Sequence, residues 1–322
     1  AAKVENDDWQ ERMPGVEQEF VGYDTLEMPV VESTNDVPIA GFSLSAVSGA
    51  ERLMLAIHYG EAAEVLKISD VKTPIKVTVK MKDKGGYLFG IDIMRHVQYM
   101  SLYKESYPEL SIQDFANFRK VHTTGMGTNK LYRSSSPIDY SIGRNHYADS
   151  LAKEAGIATF INLTDTEIYA RSYQNFDSSY YSSQDAVFLS MPVQFYSMPF
   201  KVGLATGFRY MIEHEAPYLV HCTYGMDRTG FTIAVLEALM GATAEEIQAD
   251  YAQTFINYFT VIDDMQVTLN AHQIDFYKAV VLKNLQSVYH AEGIDVPDAD
   301  NADWAFASEK YLQRLGMTAE EI

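Results

Sequence analysis

The feature that most constrains this chain of 322 residues is the ten-residue segment 221–230, which lies between two apolar runs. The run at 218–220 predicts a buried strand, and the run at 231–240 predicts a buried helix. Thr243 and Glu246 then predict the capping box of the next helix. A loop between a strand and a helix directs several backbone N–H groups, and the positive end of the helix dipole, towards one point. The segment therefore predicts an anion-binding loop.

The only cysteine of the chain, Cys222, lies in this loop. A thiol at such a point should be a thiolate at neutral pH, because the loop amides and the helix dipole favour the charged form. Arg228 supplies a planar guanidinium that can bind two oxygens of a phosphoryl group. Thr229 can donate its hydroxyl to the sulfur. One thiol also excludes an internal disulfide and a cysteine-based metal cluster, so packing must stabilise the fold.

The order His221-Cys222, five residues, then Arg228-Thr229 resembles the signature of cysteine-dependent protein tyrosine phosphatases. The sequence Asp-Arg-Thr-Gly at 227–230 is similar to the bacterial and fungal branch of that family, which also has lipid-phosphatase-like members. The resemblance covers about residues 112–290 and includes the segments 131–137, 161–163, 250–251 and 257–258. It implies an α/β fold, with a central sheet flanked by helices.

The resemblance also implies a role for each residue of the loop. Cys222 would attack phosphorus to form a cysteinyl-phosphate, which water then hydrolyses. Arg228 would hold the phosphoryl oxygens in both transfers, and Asp227 would protonate the leaving oxygen. The other positions expected to bind phosphate are Thr223, Tyr224, Gly225, Met226, Thr229 and Gly230.

Several residues outside these roles have more than one interpretation. The alternative general acids are Asp165, Asp177 and Asp185, which lie in segments predicted to be loops. Asp165 is the first of these alternatives. His221 is interpreted as a structural hydrogen-bonding residue of the loop, and the resemblance favours a buried supporting role for Arg133.

Two sites depart from the family pattern. Met226 stands where many relatives have a lysine, and the loss of that cation disfavours a polyphosphoinositide substrate. Asn162 and Thr164 stand where similar strands have Asp and Arg, so the supporting contacts of that pair are in doubt. Neither change affects the nucleophile.

An aromatic stretch follows Asp165 and consists of Tyr169, Tyr173, Phe176, Tyr180 and Tyr181. One interpretation is ordinary packing and surface. The other is a wall for the ring of a phosphotyrosine, because aromatic faces stack well on one another. The same two interpretations apply to Tyr224.

The chain divides into three predicted parts: an acidic segment at 1–36, a small β-rich domain at 37–110 and the phosphatase-like domain at 111–322, which has an acidic end. In the second part, residues 39–47 and 53–59 predict strands and 61–67 a short helix. Alternation of apolar residues at 75–81 and 87–93, on either side of two glycines, predicts a β-hairpin. From about residue 110, helical and extended patterns alternate, which is typical of an α/β domain.

Lys and Arg total 25 against 44 Asp and Glu, which gives a formal charge of −19. Residues 1–36 carry −8 of this and residues 292–322 carry −6. An acidic balance argues against a nucleic-acid or anionic-membrane partner, because both need basic surface. No apolar run approaches the ~20 residues that span a bilayer, so we predict no transmembrane segment.

The chain begins Ala1-Ala2-Lys3 rather than with Met, and this leaves two interpretations open. Small residues are typical of signal-peptide cleavage sites, which would make the protein secreted or part of the cell envelope. A trimmed start would leave it cytoplasmic. The sequence therefore predicts no compartment.

The sequence predicts a phosphomonoester hydrolase, foremost a protein tyrosine phosphatase, with phosphate as a product. The alternatives are an inositol-phosphate or phosphoinositide phosphatase, a catalytically silent phosphate-binding module, and a rhodanese-like sulfur transferase with the same loop shape. The histidines show no paired helical spacing. We therefore predict no metal site, and we expect no cofactor.

Overall fold

A computed structural model describes residues 2–4, 26–47, 49, 51–68, 77–96, 100–128, 130–259 and 268–322. Most of the predicted acidic segment, residues 1 and 5–25, lies outside the described residues, as do residues 75–76 of the predicted hairpin. Among the residues that are described, no helix is both long and apolar enough to cross a membrane.

The strands are β1 (Ala2–Val4), β2 (Val30–Val31), β3 (Phe42–Ser45), β4 (Met54–Ile57), β5 (Val77–Val79), β6 (Arg119–Lys120), β7 (Leu131–Ser134), β8 (Thr159–Asn162), β9 (Asp185–Phe188) and β10 (Tyr218–His221). The α-helices are α1 (Ala62–Val65), α2 (Leu88–His96), α3 (Ile112–Phe115), α4 (Asn145–Glu154), α5 (Glu167–Arg171), α6 (Met198–Glu213), α7 (Asp227–Leu239), α8 (Ala244–Tyr258), α9 (Ala271–Ala291) and α10 (Trp304–Arg314).

The central sheet has the strand order β6-β7-β10-β8-β9. β10 pairs in parallel with β7 and β8, β9 pairs in parallel with β8, and β6 is antiparallel to β7. The last residue of β10, His221, aligns with Ser134 on one side and Asn162 on the other. The loops that follow the four parallel strands therefore meet at one edge of the sheet, where ligands bind in open α/β sheets.

Both faces of this sheet are covered, which explains the short apolar strands of the sequence. Alternate residues of a strand point to opposite faces. Val220 belongs to the larger core, which contains residues of α6 to α10. Leu219 belongs to a second core with residues of α4. The mixed α/β fold predicted from the sequence is confirmed.

The N-terminal unit, residues 26–96 with the gaps stated above, contains the small sheet β2-β3-β4. The strands predicted at 39–47 and 53–59 and the helix predicted at 61–67 are present as β3, β4 and α1. Its buried residues Ala40, Ile57 and Ile93 belong to the same core as the central sheet. The unit therefore shares the larger core of the phosphatase-like domain, and it also has a small core of its own formed by Leu26, Met28, Leu44 and Leu66.

The predicted hairpin at 75–93 is wrong in its second half. Residues 87–93 do not continue the sheet, because α2 covers most of them. In α2, Ile93 is buried whereas Phe89 is about half exposed. Only four residues alternate here, and in a helix the pairs four apart, such as Phe89 and Ile93, also share a face, so such a short pattern did not separate the two structures.

The acidic C-terminal end contains a packed helix. In α10, Trp304, Tyr311 and Leu312 are buried, and the helix packs on α7 and α9. The acidic residues of the C-terminal end therefore surround a helix that packs on α7, which begins at Asp227.

Candidate active site

The Cys222 loop, residues 222–226, connects β10 to α7. Three consecutive carbonyls of this loop each accept a hydrogen bond from surrounding residues: that of Thr223 from the N–H of Ser136 (3.0 Å), that of Tyr224 from the hydroxyl of Tyr258 (2.6 Å), and that of Gly225 from the guanidinium of Arg133 (2.9 Å). In a planar trans peptide the next N–H points opposite to the carbonyl. The amides of residues 224–226 are therefore directed away from these partners, where they can bind an anion.

Asn117 adds a further support to the same carbonyls. Its Nδ2 donates to the carbonyl oxygens of Gly225 (3.2 Å) and Tyr224 (3.4 Å). Its Oδ1 accepts from Arg119 (2.5 Å) and from the amide of Asn257 (3.2 Å), so the side chain is fixed from both sides. We call Ser136, Tyr258, Arg133 and Asn117 the loop framework.

The arginine of this framework is paired with a buried carboxylate. Arg133 is fully buried and forms an ion pair with Asp250, which also accepts from Arg119 at 2.8 Å. Burial raises the pKa of Asp250, but the charges of Arg119 and Arg133 outweigh it and hold that pKa at about 2. Asp250 is therefore ionised at neutral pH and keeps Arg133 in place beneath the loop. The supporting role expected for Arg133 is consistent with this geometry.

Gly225 occupies a position that no other residue could fill without a backbone shift. Its φ is +65°, and a Cβ built there would lie 2.1 Å from the carbonyl oxygen of Ser134. The close approach brings the loop onto the end of β7, which is what allows Ser136 and Arg133 to reach the loop carbonyls.

Cys222 directly follows β10 and is 3% exposed. Three polar side-chain atoms of the residues around it are buried with no hydrogen-bond partner among the described residues: His221 Nδ1, Thr229 Oγ1 and Arg228 Nε. Another nitrogen of this guanidinium, Arg228 Nη1, donates to the carbonyl of Met191 at 3.0 Å. Unpartnered buried donors are rare and costly, which points to a ligand that completes them.

The helix that carries Arg228 begins closer to the cysteine than the sequence predicted. α7 starts at Asp227, four residues before the predicted start, and its N-cap residue Met226 supplies no side-chain hydrogen bond. The first amides of an α-helix have no partner within the helix. The helix N-terminus therefore adds its dipole and its free amides to the loop.

Asp227 lies in the first turn of α7 and is partly buried. Burial raises its pKa from the ordinary value of 3.8 to about 6, although the neighbouring charge of Arg228 opposes the shift. A carboxyl group with this pKa holds a proton in about a tenth of the molecules at pH 7, far more than an aspartate with the ordinary value. That is the property required of a general acid.

Asp165 also lies at this edge of the sheet, in the loop after β8. It is 3% exposed, and its carboxylate accepts from Asn162 (3.0 Å) and from the hydroxyl of Tyr173 (3.3 Å). Burial raises its pKa, whereas these two hydrogen bonds and the charge of Arg228 oppose the rise. Asn162 thus takes over a supporting contact in the loop, although it stands where relatives have an aspartate.

Neither of the other two alternative acids is buried as Asp165 is. Asp177 is exposed. Asp185 is the first residue of β9 and pairs with Thr159, the first residue of β8. The cysteine follows the last residue of β10, so Asp185 lies at the opposite ends of the strands. It is part of a strand, and not of the loop that the sequence predicted.

The aromatic stretch divides into two groups. Phe176 and Tyr181 are buried in the second core, as the packing interpretation predicts. Tyr169 is 59% exposed, and its ring meets that of Tyr173 at 5.3 Å between centroids. Tyr173 in turn meets Tyr140, also largely exposed, at 5.9 Å. We call Tyr140, Tyr173 and Tyr169 the aromatic wall.

The aromatic wall joins the two loops that flank the cysteine. Tyr140 follows β7 and Tyr173 follows β8, and these strands lie on either side of β10. Contact between the two tyrosines therefore bridges the carboxyl edge of the sheet beside the Cys222 loop. The ring of Tyr224, which is 37% exposed, lies edge-on to Tyr258. Aromatic surface is thus present both on the loop and beside it.

His221 is fully buried, and its Nε2 lies 3.2 Å from the hydroxyl of Tyr181. Burial lowers its pKa to about 3, and the charge of Arg228 acts in the same direction. The imidazole is neutral at physiological pH. A neutral, buried ring suits the structural role expected from the sequence.

Two of the predicted phosphate-binding positions have other contacts. The N–H of Gly230 donates to the carbonyl of Met226 at 2.7 Å, so its backbone donor is already used within the helix. A Cβ at Gly230 would lie 2.6 Å from the ring of Tyr251, which makes this glycine a packing position. The side chain of Met226 packs at the margin of the larger core. The sequence reasoning assigned no role to Asn117 or Ser136, because their distance from the loop along the chain left no local signal.

Comparison with known proteins agrees with this geometry. A family model described as the tyrosine phosphatase family matches residues 110–322, which is more than half of the chain. The chain therefore belongs to the tyrosine phosphatase family, as the resemblance in the loop predicted, and carries a phosphatase domain that acts on a phosphorylated substrate. A search of curated proteins found no match.

Proposed function

We propose that this protein hydrolyses phosphotyrosine through a cysteinyl-phosphate on Cys222. The observation that carries the proposal is the contrast between the Cys222 loop and the first turn of α7. The loop carbonyls are held by the loop framework, while Arg228 Nε and Thr229 Oγ1, in the first turn of α7, are buried without a partner among the described residues. A phosphoryl group placed over Cys222 would accept from Arg228 and from the loop amides, and the thiolate would accept from Thr229.

In the first step the thiolate of Cys222 attacks phosphorus. The S–P bond forms as the P–O bond to the tyrosyl oxygen breaks, and that oxygen takes its proton from Asp227. Three amides and the guanidinium of Arg228 face the charge that develops on the phosphoryl oxygens. Because the loop framework fixes the amides and the carbonyl of Met191 fixes Arg228, these donors need no reorganisation during the reaction.

In the second step water attacks the phosphorus of the cysteinyl-phosphate. The carboxylate of Asp227 takes a proton from the water, the S–P bond breaks, and phosphate leaves with the thiolate restored. Asp227 thus acts first as an acid and then as a base, for which a pKa of about 6 is well placed. Asp165, held by Asn162 and Tyr173, is the alternative for this role.

The aromatic wall supports an aryl phosphate over a polyphosphorylated inositol. Tyr169 and Tyr140 offer exposed ring surface beside the loop, on which a phenyl ring can stack. Met226 offers no charge for a second phosphate group. The nearby carboxylates of Asp165 and Asp139 would also repel additional phosphates.

Release of phosphate from a phosphotyrosyl peptide, a phosphoseryl peptide and a phosphoinositide tests this function, with Cys222→Ser assayed in parallel. We expect the phosphotyrosyl peptide to be cleaved fastest and the variant to lose at least about 10⁴-fold in rate, as enzymes do without their nucleophile. Unchanged phosphate release by Cys222→Ser would refute the mechanism. Exclusive cleavage of phosphoinositides would show that the proposed substrate is wrong. Tight phosphopeptide binding without turnover would indicate a catalytically silent phosphate-binding module.

A further inference from the structure

The segment between β9 and α6, residues 189–197, contacts the reactive arginine at one end. We call it the linking segment. The carbonyl of Met191 accepts from Arg228 Nη1 at 3.0 Å. Met191 is itself fixed, because its N–H donates to the carbonyl of Leu163 at 2.8 Å and its side chain is 2% exposed.

The other end of the linking segment contacts the N-terminal unit. The hydroxyl of Tyr196 donates to the carbonyl of Ala40 at 3.2 Å, and both residues are buried. The ring of Tyr196 lies edge-on to Phe42, with 6.4 Å between the ring centroids. Between the two ends, Phe195 packs on Phe231 of α7 at 4.7 Å. A continuous set of contacts therefore runs from the N-terminal unit to the guanidinium of Arg228.

We propose that the N-terminal unit positions Arg228 for phosphate binding, with Tyr196 as the positioning residue. With Nη1 held by Met191, the edge of the guanidinium formed by Nε and Nη2 remains for two phosphoryl oxygens. Bidentate binding depends closely on the orientation of this edge. Movement of the linking segment would turn the edge away from the loop amides without removing any of them.

The position of Ser190 supports a defined conformation of the linking segment. Its φ is +46°, in the left-handed region that residues with a side chain seldom adopt. The N–H of Ser190 donates to the carbonyl of Asp165 at 3.2 Å, and that of Leu189 donates to Asn162. Such a conformation persists only where its surroundings hold it.

Tyr196→Phe tests the proposal, because it removes only the hydroxyl that reaches Ala40. Tyr289→Phe is the matched control: Tyr289 is also buried, and its hydroxyl lies 2.8 Å from Ser308, between α9 and α10 and away from the linking segment. The readouts are the dissociation constant for inorganic phosphate, the kcat and KM for p-nitrophenyl phosphate, and the thermal midpoint. Phosphate affinity is measured directly, so this readout does not depend on turnover.

We expect Tyr196→Phe to weaken phosphate binding and to raise KM by up to about fivefold, the affinity equivalent of one net hydrogen bond. Tyr289→Phe should lower the thermal midpoint about as much as Tyr196→Phe does, but it should leave the phosphate dissociation constant and KM unchanged. Phe42→Leu, a change within the N-terminal unit alone, should shift phosphate affinity in the same direction. Equal phosphate affinity in Tyr196→Phe and the unaltered protein would overturn the positioning role.

The inference rests on the proposed function, but the two fail differently. If the unaltered protein binds phosphate and does not turn over, the proposed hydrolysis fails, and the comparison of Tyr196→Phe with Tyr289→Phe still decides the positioning role. If the unaltered protein does not bind phosphate, both are wrong.

Discussion

The two sides of the Cys222 loop differ in how their polar groups are satisfied, although Arg133 Nε on the inner side is also buried without a partner among the described residues. On the inner side, the carbonyls of residues 223–225 accept from the loop framework, and beneath it Arg133 is paired with Asp250. On the outer side, Arg228 Nε and Thr229 Oγ1 are buried and have no partner among the described residues. The chain thus uses its own hydrogen bonds to orient the loop. The donors of Arg228 and Thr229 are left for a ligand to bind.

This difference explains how a protein of such acidic composition can bind a phosphoryl dianion. Binding depends on donors fixed within a few ångströms, whereas the charge of the chain is spread over a surface that solvent screens within about 8 Å at physiological ionic strength. The C-terminal acidic residues lie around a packed helix, α10, and not in the loop itself. Local orientation of dipoles therefore outweighs the formal charge of −19.

The largest effect on the outer side should come from Arg228→Lys. Lysine keeps the charge but loses the planar pair of donors, so we expect kcat to fall by about 10²–10³-fold with little change in thermal stability. Arg209→Lys is the control, since Arg209 contacts Glu321 through two nitrogens away from the loop. Steady-state kinetics on p-nitrophenyl phosphate measure the loss. A fall in kcat of less than threefold would mean that Arg228 does not bind the phosphoryl group through two donors.

Asp227→Asn should have the next largest effect, and one that depends on pH. The pKa of Asp227 is about 6, so the protonated acid declines above that pH, and the rate should fall on the alkaline side. The variant should lose about 10²-fold with a poor leaving group and should lose the alkaline limb of its profile. Asp165→Asn is the matched comparison. If it abolishes that limb and Asp227→Asn does not, then Asp165 is the acid.

The raised pKa of Asp227 also predicts how the stability of the protein changes with pH. The folded-state pKa of Asp227 lies above its ordinary value of 3.8, because burial disfavours the ionised form. Ionised Asp227 therefore lowers the free energy of unfolding above about pH 6, and this cost disappears below about pH 3.8. Asp227→Asn should raise the thermal midpoint at pH 8 and have little effect at pH 4.

On the inner side, Asn117→Ala should cost both rate and stability. The variant leaves the carbonyls of Tyr224 and Gly225 with fewer donors, at about 1–3 kcal/mol for an under-satisfied buried group. Because Asn117 acts through the loop amides, we expect a loss of only about tenfold in kcat/KM. Gln286→Ala, which removes an amide that donates to the carbonyl of Val296, is the control for stability alone. Equal kinetics in both variants would show that the framework does not orient the loop.

The smallest effect should come from the aromatic wall. Tyr169→Ala removes an exposed ring worth about 0.5–1.5 kcal/mol in an aromatic pair, so KM for a phosphotyrosyl peptide should rise about two- to tenfold. Hydrolysis of an aliphatic phosphate such as glycerol phosphate should be unchanged. Phe306→Ala, which removes an exposed ring on α10, is the control. An equal rise in KM for both substrates would contradict ring stacking.

Local sequence predicted most of the elements around the site. The apolar run before His221 became β10, and the capping box of Thr243 and Glu246 is present at α8. These signals succeed because hydrophobic periodicity and capping act over one or two turns of chain. They failed at residues 87–93, where a short alternating run fits two structures and only packing selects the helix.

The sequence by itself indicated the reactive group that we propose, because the spacing of Cys222 and Arg228 in one connection between a strand and a helix predicts the chemistry without any long-range contact. It also determined the family. Only the tertiary structure decided what holds that loop. Asn117 and Tyr258 reach it from positions far along the chain, and Tyr196 connects it to the N-terminal unit. Such contacts depend on how strands and helices pack in space. The local pattern of the sequence does not predict which distant donor will contact which carbonyl.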